Sequence, residues 1–130
     1  MSTVDTPNVS SIADGARARG AFPHVVNAGA RPDKMSTLDA IAAAFSFPDW
    51  FGRNLDALYD MLTDLSWLPT GEHVLIWVDA DALKRADPKG YLGIHGVLSD
   101  AQRATTHGAD RSDLRRLTVV LTSGDGSAPE

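Results

Sequence analysis

Residues 73–78 read His-Val-Leu-Ile-Trp-Val, a continuous apolar run bounded by Pro69-Thr70-Gly71 on one side and Asp79 on the other. A run of this kind between turn signals reads as a buried central strand, and a central strand needs neighbours. Phe22–Asn27 supplies one candidate, ended by Ala28-Gly29-Ala30-Arg31-Pro32; Leu117–Leu121, β-branched in its middle, supplies the other. The segments between them have helical spacing. A first helix runs to about Phe45, with Met35, Leu38, Ile41, Ala42 and Phe45 inward. Ser36, with Asp39 three residues on, takes the place of a capping box, and Pro48 blocks continuation. A second helix has Asn54 at its N-cap and Leu55, Leu58, Met61, Leu62 and Leu65 on one side. Asp79-Ala80-Asp81 caps a short helix through Ala86. A last helix runs from about Lys89 to Thr106, with Pro88 in its first turn, Leu92, Val97, Leu98 and Ala101 inward, and His107-Gly108 at its end. The order β-α-α-β-α-α-β implies parallel strands joined by right-handed crossovers. The expected fold is α/β, a small three-stranded parallel sheet packed with about four helices.

Around this domain, residues 22–122, the sequence predicts a flexible N-terminal extension over 1–21, with a short helical turn near Ile12, and a loose C-terminal tail over 123–130. Residues 1–20 lack the basic start and apolar stretch of a secretory leader, no apolar run approaches the roughly 18 residues of a membrane span, and cysteine is absent. The expectation is a cytoplasmic protein without membrane contact, disulfides or cysteine-based metal chemistry. Twelve Lys and Arg against 17 Asp and Glu give a formal charge of -5. That balance argues against direct nucleic-acid binding, which needs a basic footprint, and suits a cationic protein partner.

The segment from Pro48 to Thr63 carries the functional signal. Trp50, Phe51 and Gly52 form an aromatic loop in front of Asn54, and Asp56, Asp60 and Asp64 recur every fourth residue on the polar side of the helix that follows. Like charges at that spacing repel, and Asp64 at the C-terminal end is not offset by the helix dipole. Such a stripe fits a binding surface, and it also fits a solvated face. Of the two loop aromatics, one commonly anchors the loop while the other is free to meet a partner. Gly52 serves a positive φ in the turn or the close approach of a partner backbone. Tyr59 borders the stripe, as a contact or as a rim residue shielding the apolar side.

Catalytic and metal signatures are missing. There is no Gly-x-Ser-x-Gly, no His-Glu-x-x-His and no phosphate-cradling Gly-rich loop. Asp79 and Asp81 begin like a calcium loop without its Gly and distant Glu. His24, His73, His95 and His107 are scattered singly and lack metal spacing. No cofactor and no metal is expected, and the chain reads as a binding protein; an aspartate-pair hydrolase built on Asp56 and Asp60 is a distant third reading.

The run Pro48, Asp49, Trp50, Phe51, Gly52, Asn54, Leu55, Asp56, Ala57, Leu58, Tyr59, Asp60, Leu62, Thr63 closely resembles the signature of the barstar family, intracellular inhibitors of small secreted ribonucleases. The resemblance extends from about Phe22 to Leu121 through the order of elements. It implies a three-layer barstar-like fold and a surface that plugs a ribonuclease active site with carboxylates in place of RNA phosphates. By position, Asp60 is the central phosphate mimic and Asp56 its companion. Trp50, Phe51, Gly52 and Asn54 belong to the contact loop, Tyr59 and Thr63 lie on the contact helix, and Asp100 is the acid contributed by the last helix. The implied partner is a small cationic extracellular ribonuclease, bound 1:1; the alternative is a barstar-fold interaction module whose cationic partner is not a ribonuclease. The chain departs from the family pattern at Arg53, a positive charge where the family has an acid, at Asp64 in place of Gly, and at Leu65 in place of an aromatic, with Trp67 a shifted substitute.

Overall fold

Strand β2 (Gly71–Trp77) lies at the centre of a three-stranded parallel sheet in the order β1-β2-β3, with β1 spanning Phe22–Val26 and β3 Arg115–Leu121. The computed structural model describes residues 8–107 and 115–123. Phe22 pairs with His73 and Val26 with Trp77 on one side, and Gly71 with Arg115 and Trp77 with Leu121 on the other. Residues 73–77 are all buried, and strand alternation sends them to two different cores. Leu75 and Trp77 join Val26 and Leu117 under α2 (Lys34–Ala44), α3 (Leu55–Asp64), α4 (Ala80–Ala86) and α5 (Pro88–His107). Val74 and Ile76 face the opposite way.

That second face is covered by α1 (Val9–Ala18), in the segment expected to be a flexible extension. Asn8 caps it, its side-chain oxygen accepting from the Ser11 amide at 2.8 Å. Ala13, Ala16 and Ala21 are buried against Val74 and Ile76, with Val9, Ile12 and Val120 packed around them. Val9, Ile12, Ala13 and Ala16 recur at helical spacing, and the small alanines let the helix lie close to the sheet. The described residues contain five helices, the four expected around the sheet and α1, which forms the third layer.

At the end of α1, Arg19 forms a two-pronged ion pair with Glu72 of β2, at 3.0 and 2.9 Å. The Arg19 hydrogen bonds, one from Thr118 and the charges of Arg19 and Arg116 outweigh burial and lower the Glu72 carboxyl to about 2.

Other boundaries also shift. The cap of α2 is Asp33, whose carboxylate accepts from the Ser36 amide at 2.8 Å while the Ser36 hydroxyl accepts from the Asp33 amide at 2.9 Å. Ser36 is thus the third helical residue of the capping box, and Met35 faces outward. Leu92, expected inside, is 68% exposed; Ile94 and the half-buried Tyr91 pack on the core in its place. Asp79 holds the N-cap position of α4 at φ 53° without a side-chain cap bond, and its Oδ1 is buried with no partner. The singly scattered histidines include two that touch: His24 Nε2 lies 2.9 Å from His73 Nδ1. The expected helix stop at Gly108, residues 1–7 and the tail over 124–130 lie outside the described residues.

Candidate functional site

The loop from α2 to α3 begins with a left-handed turn. Ser46 sits at φ 53°, and the amides of Ser46 and Phe47 donate back to the carbonyls of Ala43 and Ala42, the pair of hydrogen bonds that closes a helix C-terminus. Phe47 is thereby turned onto the core, where it meets Phe45, Phe51 and Trp67. Pro48 opens a second turn, closed by the Phe51 amide donating to the Pro48 carbonyl at 3.0 Å. This geometry divides the aromatic pair. Phe51 packs edge-on against Phe47 at 4.9 Å between ring centres, and Trp50 is 72% exposed.

The positive φ expected at Gly52 falls instead on Arg53, at 54°. Space beside Gly52 is tight. An added Cβ would stand 3.1 Å from Asn54 Nδ2 and 3.6 Å from Ala57 Cβ, pressing on the carboxamide that caps α3. Asn54 Oδ1 accepts from the Ala57 amide at 2.8 Å, and its Nδ2 donates to the Gly52 carbonyl at 3.3 Å. One side chain both starts the helix and fixes the loop's last turn.

Arg53 does not project as a free cation at the rim. Its guanidinium donates to both carboxylate oxygens of Asp39 on α2, at 2.9 and 3.0 Å. The pair offsets the charge that set this chain apart from the family pattern, and ties the loop back to the preceding helix.

An open cleft of about 480 Å³ lies between this loop and α3, lined by Trp50, Gly52, Ala57, Asp60, Met61 and Asp64. Trp50, Gly52 and Asp60 were expected at the site. Ala57, Met61 and Asp64 were not assigned to it, although their spacing of four and three residues along one helix face carried the signal. Asp56 is exposed one turn before Asp60, outside the cleft. Among the described residues neither Asp56 nor Asp60 has an ion-pair partner, while Asp64 accepts a hydrogen bond from Ser66 Oγ at 2.9 Å.

The remaining candidates divide. Tyr59 is partly exposed beside Asp60. The Thr63 hydroxyl is turned inward along its own helix, donating to the Tyr59 carbonyl at 2.8 Å. Asp100 lies on α5, outside the cleft, and is paired with Arg103 one turn on. Helix α5 passes α3 near Gly93, where an added Cβ would stand 2.9 Å from Leu55 Cδ1; Asp100 is two turns beyond that approach. Leu65 is fully buried, and Trp67 backs the loop, its Nε1 donating to the Phe45 carbonyl at 2.9 Å. Trp67 therefore holds the loop from behind.

Chemically, the cleft offers an exposed indole face, an apolar floor and carboxylates free to accept. That combination suits a guanidinium, ammonium or imidazolium group. Among the described residues no cluster of three or more His, Asp or Glu could hold a metal ion, and no helix is long and apolar enough to cross a membrane. Comparison with curated proteins gives no match. The model of the family described as Barstar (barnase inhibitor) matches residues 21–122.

Proposed function

This chain belongs to the barstar family, and from that premise we propose that it is a cytoplasmic inhibitor of one small, cationic, secreted bacterial ribonuclease, bound 1:1. Asp60 enters the enzyme's phosphate site, with Asp56 beside it and Trp50 and Gly52 at the lip. A ribonuclease must present fixed cationic donors to stabilise phosphate, and a preorganised carboxylate accepts hydrogen bonds from the same groups. The observation that carries the reading is an Asp60 carboxylate with no ion-pair partner among the described residues, in a cleft beside an exposed Trp50. The loop is fixed from behind by Phe47, Phe51, Asn54 and the Arg53–Asp39 pair, so little ordering remains to be done on binding.

Titration against a panel of small secreted bacterial ribonucleases, followed by RNA cleavage, tests this. Activity of at least one enzyme should fall linearly to zero at one equivalent. If every enzyme stays fully active, the ribonuclease reading fails, and retention of some other basic protein would leave the interaction-module reading in its place.

A further inference from the structure

Three hydrogen bonds run in series through two imidazole rings packed between β1, β2 and the end of α2. His24 Nδ1 lies 3.0 Å from the Ala44 carbonyl oxygen, His24 Nε2 lies 2.9 Å from His73 Nδ1, and His73 Nε2 lies 2.8 Å from the Pro69 carbonyl oxygen. Carbonyl oxygens only accept, so His24 Nδ1 and His73 Nε2 must both carry hydrogen. The contact between the rings needs a third. Two neutral imidazoles carry two hydrogens, which leaves one of the three contacts unmade. Two imidazolium rings carry four, which points N–H at N–H. Only a pair with a single positive charge supplies three hydrogens for three bonds. We infer that His24 and His73 share one proton as an internal imidazolium–imidazole pair, and that its charge strengthens the His24 Nδ1–H bond to the Ala44 carbonyl, fastening the end of α2, where the contact loop begins, to the sheet.

The surroundings set how tightly the proton is held. His73 is fully buried, and burial is the main cause lowering the pKa of both rings. Arg115 of β3, donating to the Leu68 carbonyl at 2.8 Å, adds to the lowering at His73. Among the described residues no carboxylate is bonded to either ring. Glu72 points to the other face of β2 toward Arg19 and Thr118, and Asp39 of α2 is bound to Arg53. At the end of α2 the pair meets the Ala44 carbonyl and the Phe45 ring, and from β1 the Phe22 ring. Burial and the neighbouring charge therefore hold uptake of the shared proton below the ordinary histidine range, and the first charge opposes a second. The link to the loop is direct: His24 stacks on Phe45 at 4.0 Å, Phe45 meets Phe47, and Phe47 meets Phe51.

Nitrogen NMR of histidine-labelled full-length protein, from about pH 8 to about pH 4.5, tests the sharing. His24 Nδ1 and His73 Nε2 should stay protonated throughout, the two facing nitrogens should move together through a single one-proton step, and scalar coupling should appear across them. Independent titration of the rings, each taking a full proton, would overturn the inference. So would a carbonyl-facing nitrogen that stays unprotonated at every pH. In His24→Gln the carboxamide can both donate and accept, so the proton step at His73 should vanish; an unchanged step would refute the sharing. Amide exchange tests the fastening. Relative to His24→Gln, protection of residues 45–51 in the parent should rise about fivefold on passing from about pH 7.5 to about pH 5, and no change would refute it. The significance for inhibition rests on the proposed function, but none of these measurements uses a ribonuclease, so a negative inhibition assay leaves them standing.

Discussion

Glu72→Gln tests whether α1 is a docked part of the domain. Glu72 bridges Arg19 at the end of α1 to Thr118 on β3, so its charge acts across the sheet face that α1 covers. A carboxyl at about 2 rather than the ordinary 4.5 would correspond to about 3 kcal/mol in a sealed site. The Arg19 side chain is 52% exposed, and water screening reduces the contribution to about 1–2 kcal/mol. Because the folded pKa lies below the unfolded one, the contribution is complete above about pH 4.5 and is lost as pH falls through about 2. Urea unfolding at neutral pH should therefore show Glu72→Gln less stable than the parent by about 1–2 kcal/mol, with the gap narrowing as the pH is lowered through that window. Amide protection in residues 9–18 should fall with it. Equal midpoints at neutral pH, or a gap independent of acidity, would refute the argument and return α1 to the status of a loose extension.

Three further outcomes bear on the site. Asp60→Ala should weaken ribonuclease binding by about 2–5 kcal/mol or more, the general value for stripping one partner from a desolvated charge pair, for which the barnase–barstar complex is itself the reference case and runs higher; Asp60→Asn should lose much of the same, Asp64→Ala much less, and normal inhibition by both folded Asp60 variants would end the phosphate-mimic mechanism. Arg53→Ala and Asp39→Asn should each speed dissociation, and the double variant should be no worse than either single one. These two changes alter net charge in opposite directions, so opposite effects on binding would mean that steering, not loop positioning, is what Arg53 supplies. Association should slow as salt rises, and salt-independent association rates would contradict an acidic surface meeting a cationic enzyme.

The strand–helix order and the start of the contact helix were legible in the chain because both rest on local physics. The run from Val74 to Trp77 is buried because its side chains are apolar, and Asn54 caps α3 because a side-chain oxygen at that position reaches the Ala57 amide. The barstar signature, likewise a contiguous string, identified the family from one segment. What tertiary structure decided involves partners distant in sequence. Helix α1 offers one short apolar face, Val9, Ile12, Ala13 and Ala16, and its burial depends on Val74 and Ile76 some sixty residues later. Arg53 looked like an intruding cation until the fold brought Asp39 against it, and Gly52 looked like a turn residue until Asn54 folded back beside it. His24 and His73, read singly, were unremarkable helix-end or surface histidines. Parallel pairing places Phe22 opposite His73 and puts the two rings within 2.9 Å, and a shared proton has no meaning until that register exists. Local sequence determines which residues seek burial or a cap, whereas only the three-dimensional arrangement determines which charges and lone pairs must answer one another.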